Sequence, residues 1–307
     1  MNCTPRGTGP SLSETTMQGP PKYVVITPVR DEAPYIERTI SSLIGQTVPA
    51  QQWIVVDDGS TDGTGEILDR HAARHRWMTI VHQRNRGYRS AGSGVMEAFH
   101  AGYSHAEDGW DFLVKLDGDL SFPPGYFEEC FRKFHDDPAL GIGGGTICRL
   151  DADRLRVDSA GDPPFHVRGA TKIYRRACWE GIGPPVAAPG WDTIDEAKAN
   201  LHGWSTRTFP DLTLVQHKPT GAAAGKWGDA FKNGRANYLT GYHPAFMLAK
   251  CVKRALRKPL LVESAALLTG YCSGYIRRTP RAADPATIRY VRQQQLRRLL
   301  LRPSIYG

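Results

Sequence analysis

Two stretches, Trp53-Ile-Val-Val-Asp-Asp-Gly-Ser-Thr-Asp-Gly-Thr64 and Phe112-Leu-Val-Lys-Leu-Asp-Gly-Asp119, decide the fold of this 307-residue chain. Each opens with a short apolar run, Trp53 to Val56 and Phe112 to Leu116, and stops at carboxylates, Asp57-Asp58 and Asp117-Gly118-Asp119. Runs of this length bounded by turn residues read as buried strands. On the near side, Tyr23 to Thr27 is a similar run, stopped by Pro28. Between the runs, Ile36, Ile40, Leu43 and Ile44 recur at helical spacing within Ala33 to Gln46, and Gly45 closes that helix. A second helix follows the Asp57 turn as far as His75, Met78 to His82 is a third strand, and Val95 to Ala106 is a helix. Alternation of this kind predicts an α/β fold of βαβ units with right-handed crossovers and a mainly parallel sheet. Ligands of such sheets bind beyond the carboxyl ends of the strands, where Arg30 to Glu32, Asp57-Asp58 and Asp117 to Asp119 all fall.

Beyond Asp119 the pattern loosens. Leu140 to Ile147, Ala170 to Tyr174 and Leu212 to Val215 read as strands, and Trp191 to His202 as a helix. From about Pro244 the chain becomes basic, amphipathic and helical. The expected organisation is a leader over residues 1–21, a catalytic domain over 22–220 and a helical C-terminal region over 221–307. The leader is rich in Gly, Pro, Ser and Thr and has no apolar core, so it reads as a flexible segment and not a signal peptide. No stretch reaches the roughly 18–20 apolar residues of a spanning helix.

The composition, 40% hydrophobic and 23% charged with a net charge of +8, is that of a globular protein and excludes collagen-like, disulfide-scaffold and disordered classes. The charge is uneven. From Cys251 to Gly307 only Glu263 and Asp284 oppose twelve Lys and Arg residues, so the body is close to neutral. A basic tail on a neutral body points to an acidic surface and argues against a body that wraps nucleic acid. The six cysteines form no CxxC pair, which fits a reducing compartment and no zinc site.

Asp117 and Asp119, one residue apart at a strand end, offer hard oxygen ligands to Mn²⁺ or Mg²⁺, and such a metal bridges the phosphates of a nucleotide. Asp and Gly also make plain turns. Asp57 or Asp58 suits the ring N–H of a uracil, while Asp57, Ser60 or Asp62 equally suits a helix cap. A base has room against the Thr27-Pro28 backbone, with Glu32 or Asp31 capping the next helix.

In this order and spacing, the strand with Thr27-Pro-Val-Arg-Asp-Glu32, Val55 to Thr64, Asn85-x-Gly87 and Lys115-Leu-Asp-Gly-Asp119 resemble the family 2 glycosyltransferases of GT-A fold, over roughly Tyr23 to His217. The resemblance implies a nucleotide-diphosphate sugar donor, a divalent metal and inversion at the anomeric carbon. It implies nucleotide contacts at Thr27, Glu32, Asp58 (or Asp57) and Asp117, and a metal contact at Asp119. His217 is similar in placement to a histidine that completes the metal shell in many GT-A enzymes. The family's acidic pair on a helix, some eleven residues before a glycine, falls on Asp192, counted back from Gly203. Asp192 is therefore the first candidate for general base, then Asp195 and Glu196. The usual Glu-Asp pair reads Trp191-Asp192 here, and the usual Ala-Arg-Asn is absent after Ala91, leaving Arg89 or Arg86 to meet the diphosphate. His217 to Gly221, Gly234 to Tyr238 and Gly241 to Pro244 resemble a bacterial subgroup assigned to exopolysaccharide or cell-envelope glycan assembly.

The expected activity is thus transfer from a UDP-linked sugar to a hydroxyl of a saccharide or lipid-linked glycan. The basic tail would rest on an anionic bilayer at the cytoplasmic face, or form an ordinary solvated surface. Two enzymatic rivals remain. One is a polyprenyl-phosphate sugar synthase, whose acceptor needs no base. The other is a sugar nucleotidyltransferase, which normally shows a Gly-rich loop where Pro28 to Glu32 has none. A glycan- or membrane-binding protein without turnover is the non-enzymatic alternative.

Overall fold

The computed structural model describes residues 19–87, 92–151, 154–158, 161–218, 225–255 and 261–307. Its first half runs β1 (Tyr23–Val29), α1 (Ile36–Ile44), β2 (Gln52–Asp57), α2 (Thr64–Ala72), β3 (Met78–His82), α3 (Ser93–Tyr103) and β4 (Phe112–Leu116). Then come β5 (Leu120–Ser121), α4 (Tyr126–Asp136), β6 (Leu140–Asp151), β7 (Arg154–Val157), β8 (Thr171–Arg175), α5 (Arg176–Ile182), α6 (Trp191–Leu201) and β9 (Ser205–Gln216). Four helices close the chain: α7 (Gly225–Leu239), α8 (Pro244–Ala255), α9 (Val262–Ile276) and α10 (Pro285–Leu299).

The sheet order is β3-β2-β1-β4-β8-β6-β9-β5, with β7 paired to β6. Its first four strands are parallel, as the alternation predicts; β8 joins β4 antiparallel, and β6 with β9 restores one parallel pair. Strands β1, β2 and β4 carry large apolar side chains on both faces because helices cover both. Tyr23, Val25 and Trp53 pack with α1 and α4, while Val24, Ile26 and Ile54 pack with α3. Helix α1 buries Ile36, Thr39, Ile40 and Leu43, one stripe of a 3.6-residue period.

The expected strand at Leu212 to Val215 is the end of a twelve-residue strand, β9, whose register with β6 shifts at Gly145/Thr146. The helical region also starts earlier than Pro244. Helix α7 packs against α9 so closely that a Cβ on Gly234 would strike the Leu267 carbonyl, and one on Gly270 the Phe231 carbonyl. Ala197 of α6 belongs to the same core cluster as Tyr238, Met247, Leu267, Tyr271 and Val291, so this layer is joined to the sheet domain through α6. No helix among the described residues is long and apolar enough to cross a membrane. Cys130, Cys148, Cys178, Cys251 and Cys272 are free thiols.

Candidate active site

The ends of β1, β2 and β4 lie side by side, because β1 pairs with both neighbours. At the end of β2 the two acids part company. Asp57 turns into its own loop: Oδ1 accepts from Ser60 N at 2.9 Å and Oδ2 meets His82 Nδ1 at 3.1 Å. Asp58 faces arginines instead. Arg86 Nη2 donates to its two oxygens at 2.9 and 2.8 Å, and Arg30 Nη1 lies 3.6 Å away. Asn85 Oδ1 accepts from Arg30 at 2.9 Å and from Gly87 N at 2.7 Å, which ties the Asn85-x-Gly87 motif to this turn. Gly59 (φ +71°) presses on the Asn85 backbone, where a side chain would collide. The Thr27 hydroxyl, fully buried, accepts from Trp53 Nε1 at 2.9 Å, and Pro28 sits in register with Val56. The Thr27 side chain is therefore committed to the sheet, leaving the strand-end backbone to face a ligand.

Contrary to the sequence expectation, neither Asp31 nor Glu32 caps α1 with its side chain. Tyr35 is the cap residue, and Glu32 contributes its carbonyl to Tyr35 N and Ile36 N. Asp31 Oδ1 accepts from Thr61 N at 3.0 Å, and Asp62 reaches across to Ala33 N at 3.0 Å and to Thr64 N at 3.1 Å. This frees the Glu32 carboxylate for the rim. Lys218 donates to its Oε1 at 2.6 Å, while Oε2 is buried with no partner. Burial raises Glu32 to about 7, and the nearby Asp119 and Asp117 charges add to this against the pull of Lys218. Asp119, 4% exposed, is raised to about 6 by burial and by Asp117, and its Oδ2 accepts from Gln216 Nε2 at 3.1 Å. Asp117 is more open and bonds Lys115. His217 N donates to Asp119 O at 2.9 Å; its ring contacts Arg38 at 2.6 Å and Ser121 at 2.8 Å. Burial, with Arg38 beside it, lowers the imidazole below its usual range.

The three acids of α6 separate sharply. Asp195 accepts from Lys172 Nζ at 2.7 Å and Tyr174 OH at 2.5 Å. Glu196 takes Val167 N at 2.7 Å, His166 Nδ1 at 2.9 Å and Lys172 Nζ at 2.8 Å. Both carboxylates are fully buried. Burial alone would lower the His166 imidazole, but the Glu196 carboxylate holds it up at about 9. Asp192, half-buried in the first turn, has no side-chain hydrogen bond or ion pair among the described residues; only its carbonyl is used, by Lys172. It packs against the segment before β8. A Cβ on Gly169 would come within 3.6 Å of Asp192 Cβ, and the next carbonyl, of Ala170, accepts from Asp117 N at 2.9 Å. Lys115 bonds Asp117 and lies 5.8 Å from the ring of Trp191, the residue before Asp192.

The structure thus gathers Glu32, Asp117, Asp119 and the His217 backbone at one rim and sets Asp58 among arginines, while Asp192 borders the Gly169-Ala170 segment whose Ala170 carbonyl holds Asp117 N. It commits Asp57, Asp195 and Glu196 to internal bonds. Arg89 lies outside the described residues, and Arg86 serves Asp58 and Glu97. The sequence reading missed Lys115, Lys172, Lys218 and Gln216. A lysine inside a buried strand was the available signal for the first two, since such a charge requires a partner. Among the described residues no group of three or more His, Cys, Asp or Glu side chains is placed to cage a metal. Paired acidic oxygens at Asp117 and Asp119 beside an orphaned Glu32 oxygen fit a hard cation whose remaining ligands are phosphates, a usual arrangement for such ions.

Residues 24–181 match the family model "Glycosyl transferase family 2", and the chain belongs to that family. It is 26% identical over 157 residues to chondroitin synthase of Escherichia coli, which is 51% of this chain and 22% of that protein. It is 33% identical over 145 residues to the undecaprenyl-phosphate mannosyltransferase of Micrococcus luteus, 46% of this chain and 57% of that protein. Among solved structures, a mannosyltransferase from Pyrobaculum calidifontis in complex with GDP-Man and Mn²⁺ superposes with a TM-score of 0.55 at 20% identity, covering 91% of this chain and 81% of that one. Staphylococcus aureus TarS with UDP-GlcNAc gives 0.53 at 17% identity, covering 91% and 86%. The fold is GT-A, as the sequence implied.

Proposed function

We propose that this glycosyltransferase is an inverting, metal-dependent enzyme. It moves a sugar from a UDP-linked donor to a hydroxyl of a saccharide or lipid-linked glycan in polysaccharide or cell-envelope synthesis, working in the cytoplasm. The observation that carries this reading is the rim itself, where Glu32 and Asp119 are raised to about 7 and about 6 by burial and by their acidic neighbours. Carboxylates held this way are short of positive charge. Mn²⁺ or Mg²⁺ on Asp119 and Asp117 would supply that charge and neutralise the diphosphate as it leaves. His217 could join only by giving up its contact with Arg38 or Ser121. The Thr27-Pro28 backbone, Glu32 and Asp58 line the nucleotide side, with Arg89 available for the diphosphate. Asp192, the one acid of α6 with a free carboxylate, takes the proton of the acceptor hydroxyl. The acceptor oxygen bonds to the anomeric carbon, the bond from that carbon to the diphosphate breaks, and the nucleoside diphosphate leaves with the electron pair.

The match to an undecaprenyl-phosphate mannosyltransferase favours one second reading, a phosphate acceptor. The test is a screen of UDP- and GDP-sugars for thermal protection with and without Mn²⁺, followed by transfer assays of Asp192→Asn. Protection by a UDP-sugar that needs the metal is expected, with transfer lowered about 10²–10⁴-fold in the variant and donor binding kept. Undiminished transfer to a polyprenyl phosphate would select the second reading. No nucleotide protection under any condition would overturn both in favour of a non-catalytic glycan-binding protein.

A further inference from the structure

Along α10 and the residues that follow it, with His243 opposite, runs an open cleft of about 520 Å³. Arg289, Arg292, Arg297 and Arg302 line it with His243, and no carboxylate does. Among the described residues none of the four arginines pairs with an acid. Asp284, the only acid near α10 in sequence, is spent on capping that helix through Ala286 N and Thr287 N, both at 2.9 Å. Ordinary structural roles explain two of the four. Arg292 Nε donates to Gly241 O at 2.9 Å, and Arg297 suits the negative end of α10. Arg289 and Arg302 have no such duty. Guanidinium groups gathered without a counter-ion repel one another, and a phosphate, which they bind in bidentate fashion, relieves this.

A second feature shares the place. Leu296 and Leu300 are in the cleft wall, and the chain continues into Leu301; Leu300 is 64% and Leu301 90% exposed. Leu301 stands at φ +54°, just after the α10 cap, in a conformation that glycine usually supplies. Arginines beside outward-facing leucines are the chemistry of a bilayer interface, where the cations meet phosphates and the apolar side chains enter the acyl boundary. We propose that this cleft seats the phosphate of an anionic phospholipid, with Leu300 and Leu301 inserted beside it. A soluble polyanion would use the arginines and leave the leucines idle. None of the lining residues belongs to the acidic rim, so the test needs no nucleotide.

The whole chain is sedimented with phosphatidylglycerol/phosphatidylcholine vesicles and with phosphatidylcholine alone. Binding to the anionic vesicles only is expected. Arg289→Ala/Arg297→Ala/Arg302→Ala should weaken it on the order of a hundredfold at moderate salt. Leu300→Asn/Leu301→Asn should remove the part that survives high salt. Unchanged melting temperatures show that both variants are folded. Equal binding to both vesicle types, full binding by the arginine variant, salt-resistant binding by the leucine variant, or capture of heparin or inorganic phosphate without vesicle binding would each overturn the proposal. None of these outcomes bears on the donor screen above.

Discussion

Asp195 and Glu196, beneath α6, differ from Glu32 and Asp119, at the strand ends, in how many donors reach them. The interior pair is saturated: Lys172 serves both, and Tyr174, His166 and two backbone N–H groups complete them. At the rim, among the described residues, Asp119 has one side-chain donor, the Gln216 amide, and Glu32 is bonded by Lys218 at one oxygen and keeps the other buried with none. Both sets are buried acids in one domain, yet the first is closed and the second open. Saturation marks a carboxylate as architecture, and a deficit of donors marks it as a place for a ligand.

The sharpest way to break this contrast is Lys172→Met. It removes the shared cation and should cost about 3–5 kcal/mol in denaturant unfolding, because two buried carboxylates lose their partner. A cost near zero would mean that the interior set is not held as described. Asp119→Asn should do the reverse. Its raised carboxyl opposes folding at neutral pH, so the amide should gain about 1 kcal/mol of stability while metal-dependent donor binding weakens about a hundredfold. Calorimetry of the variant with Mn²⁺ and UDP reads both. The pH profile of stability sharpens the interior side. His166 titrates at about 9 when folded, against 6.5 as its ordinary value, so its contribution is complete below about pH 6.5 and is lost as pH rises through 9. A fall on the order of 2 kcal/mol across that window is expected in pH-dependent melts, and His166→Gln should flatten it. The smallest effect concerns the loop between β2 and α2. Asp62→Ala, which leaves Ala33 N and Thr64 N without their acceptor, should cost about 1 kcal/mol by thermal unfolding with donor affinity nearly unchanged.

Much of this arrangement is legible in the sequence. Strands β3 and β4 begin and end where their apolar runs do, and the acidic strand ends meet because the βαβ alternation dictates a parallel pairing. Helix α4 was equally legible and went unread: Tyr126, Phe127, Cys130, Phe131 and Phe134 form a helical stripe, all buried. What periodicity does not carry is the choice among Asp192, Asp195 and Glu196. All three sit within five residues of one helix, and what separates them is the set of partners beneath it, Lys172 and Tyr174 from β8 with His166 and the Val167 N–H, which reach Asp195 and Glu196. The role of Glu32 was hidden for a related reason. Its partner Lys218 is 186 residues away, beyond the reach of any local pattern.

Helix α6 presents Asp192 at its first turn and rests Ala197 in the core of the C-terminal layer, whose α7 and α9 touch backbone to backbone at Gly234 and Gly270. A fragment cut at residue 220 would therefore be no minimal enzyme. It would keep every strand of the sheet and lose the backing of the helix that carries Asp192, so a truncation series is expected to lose transfer once these helices are removed.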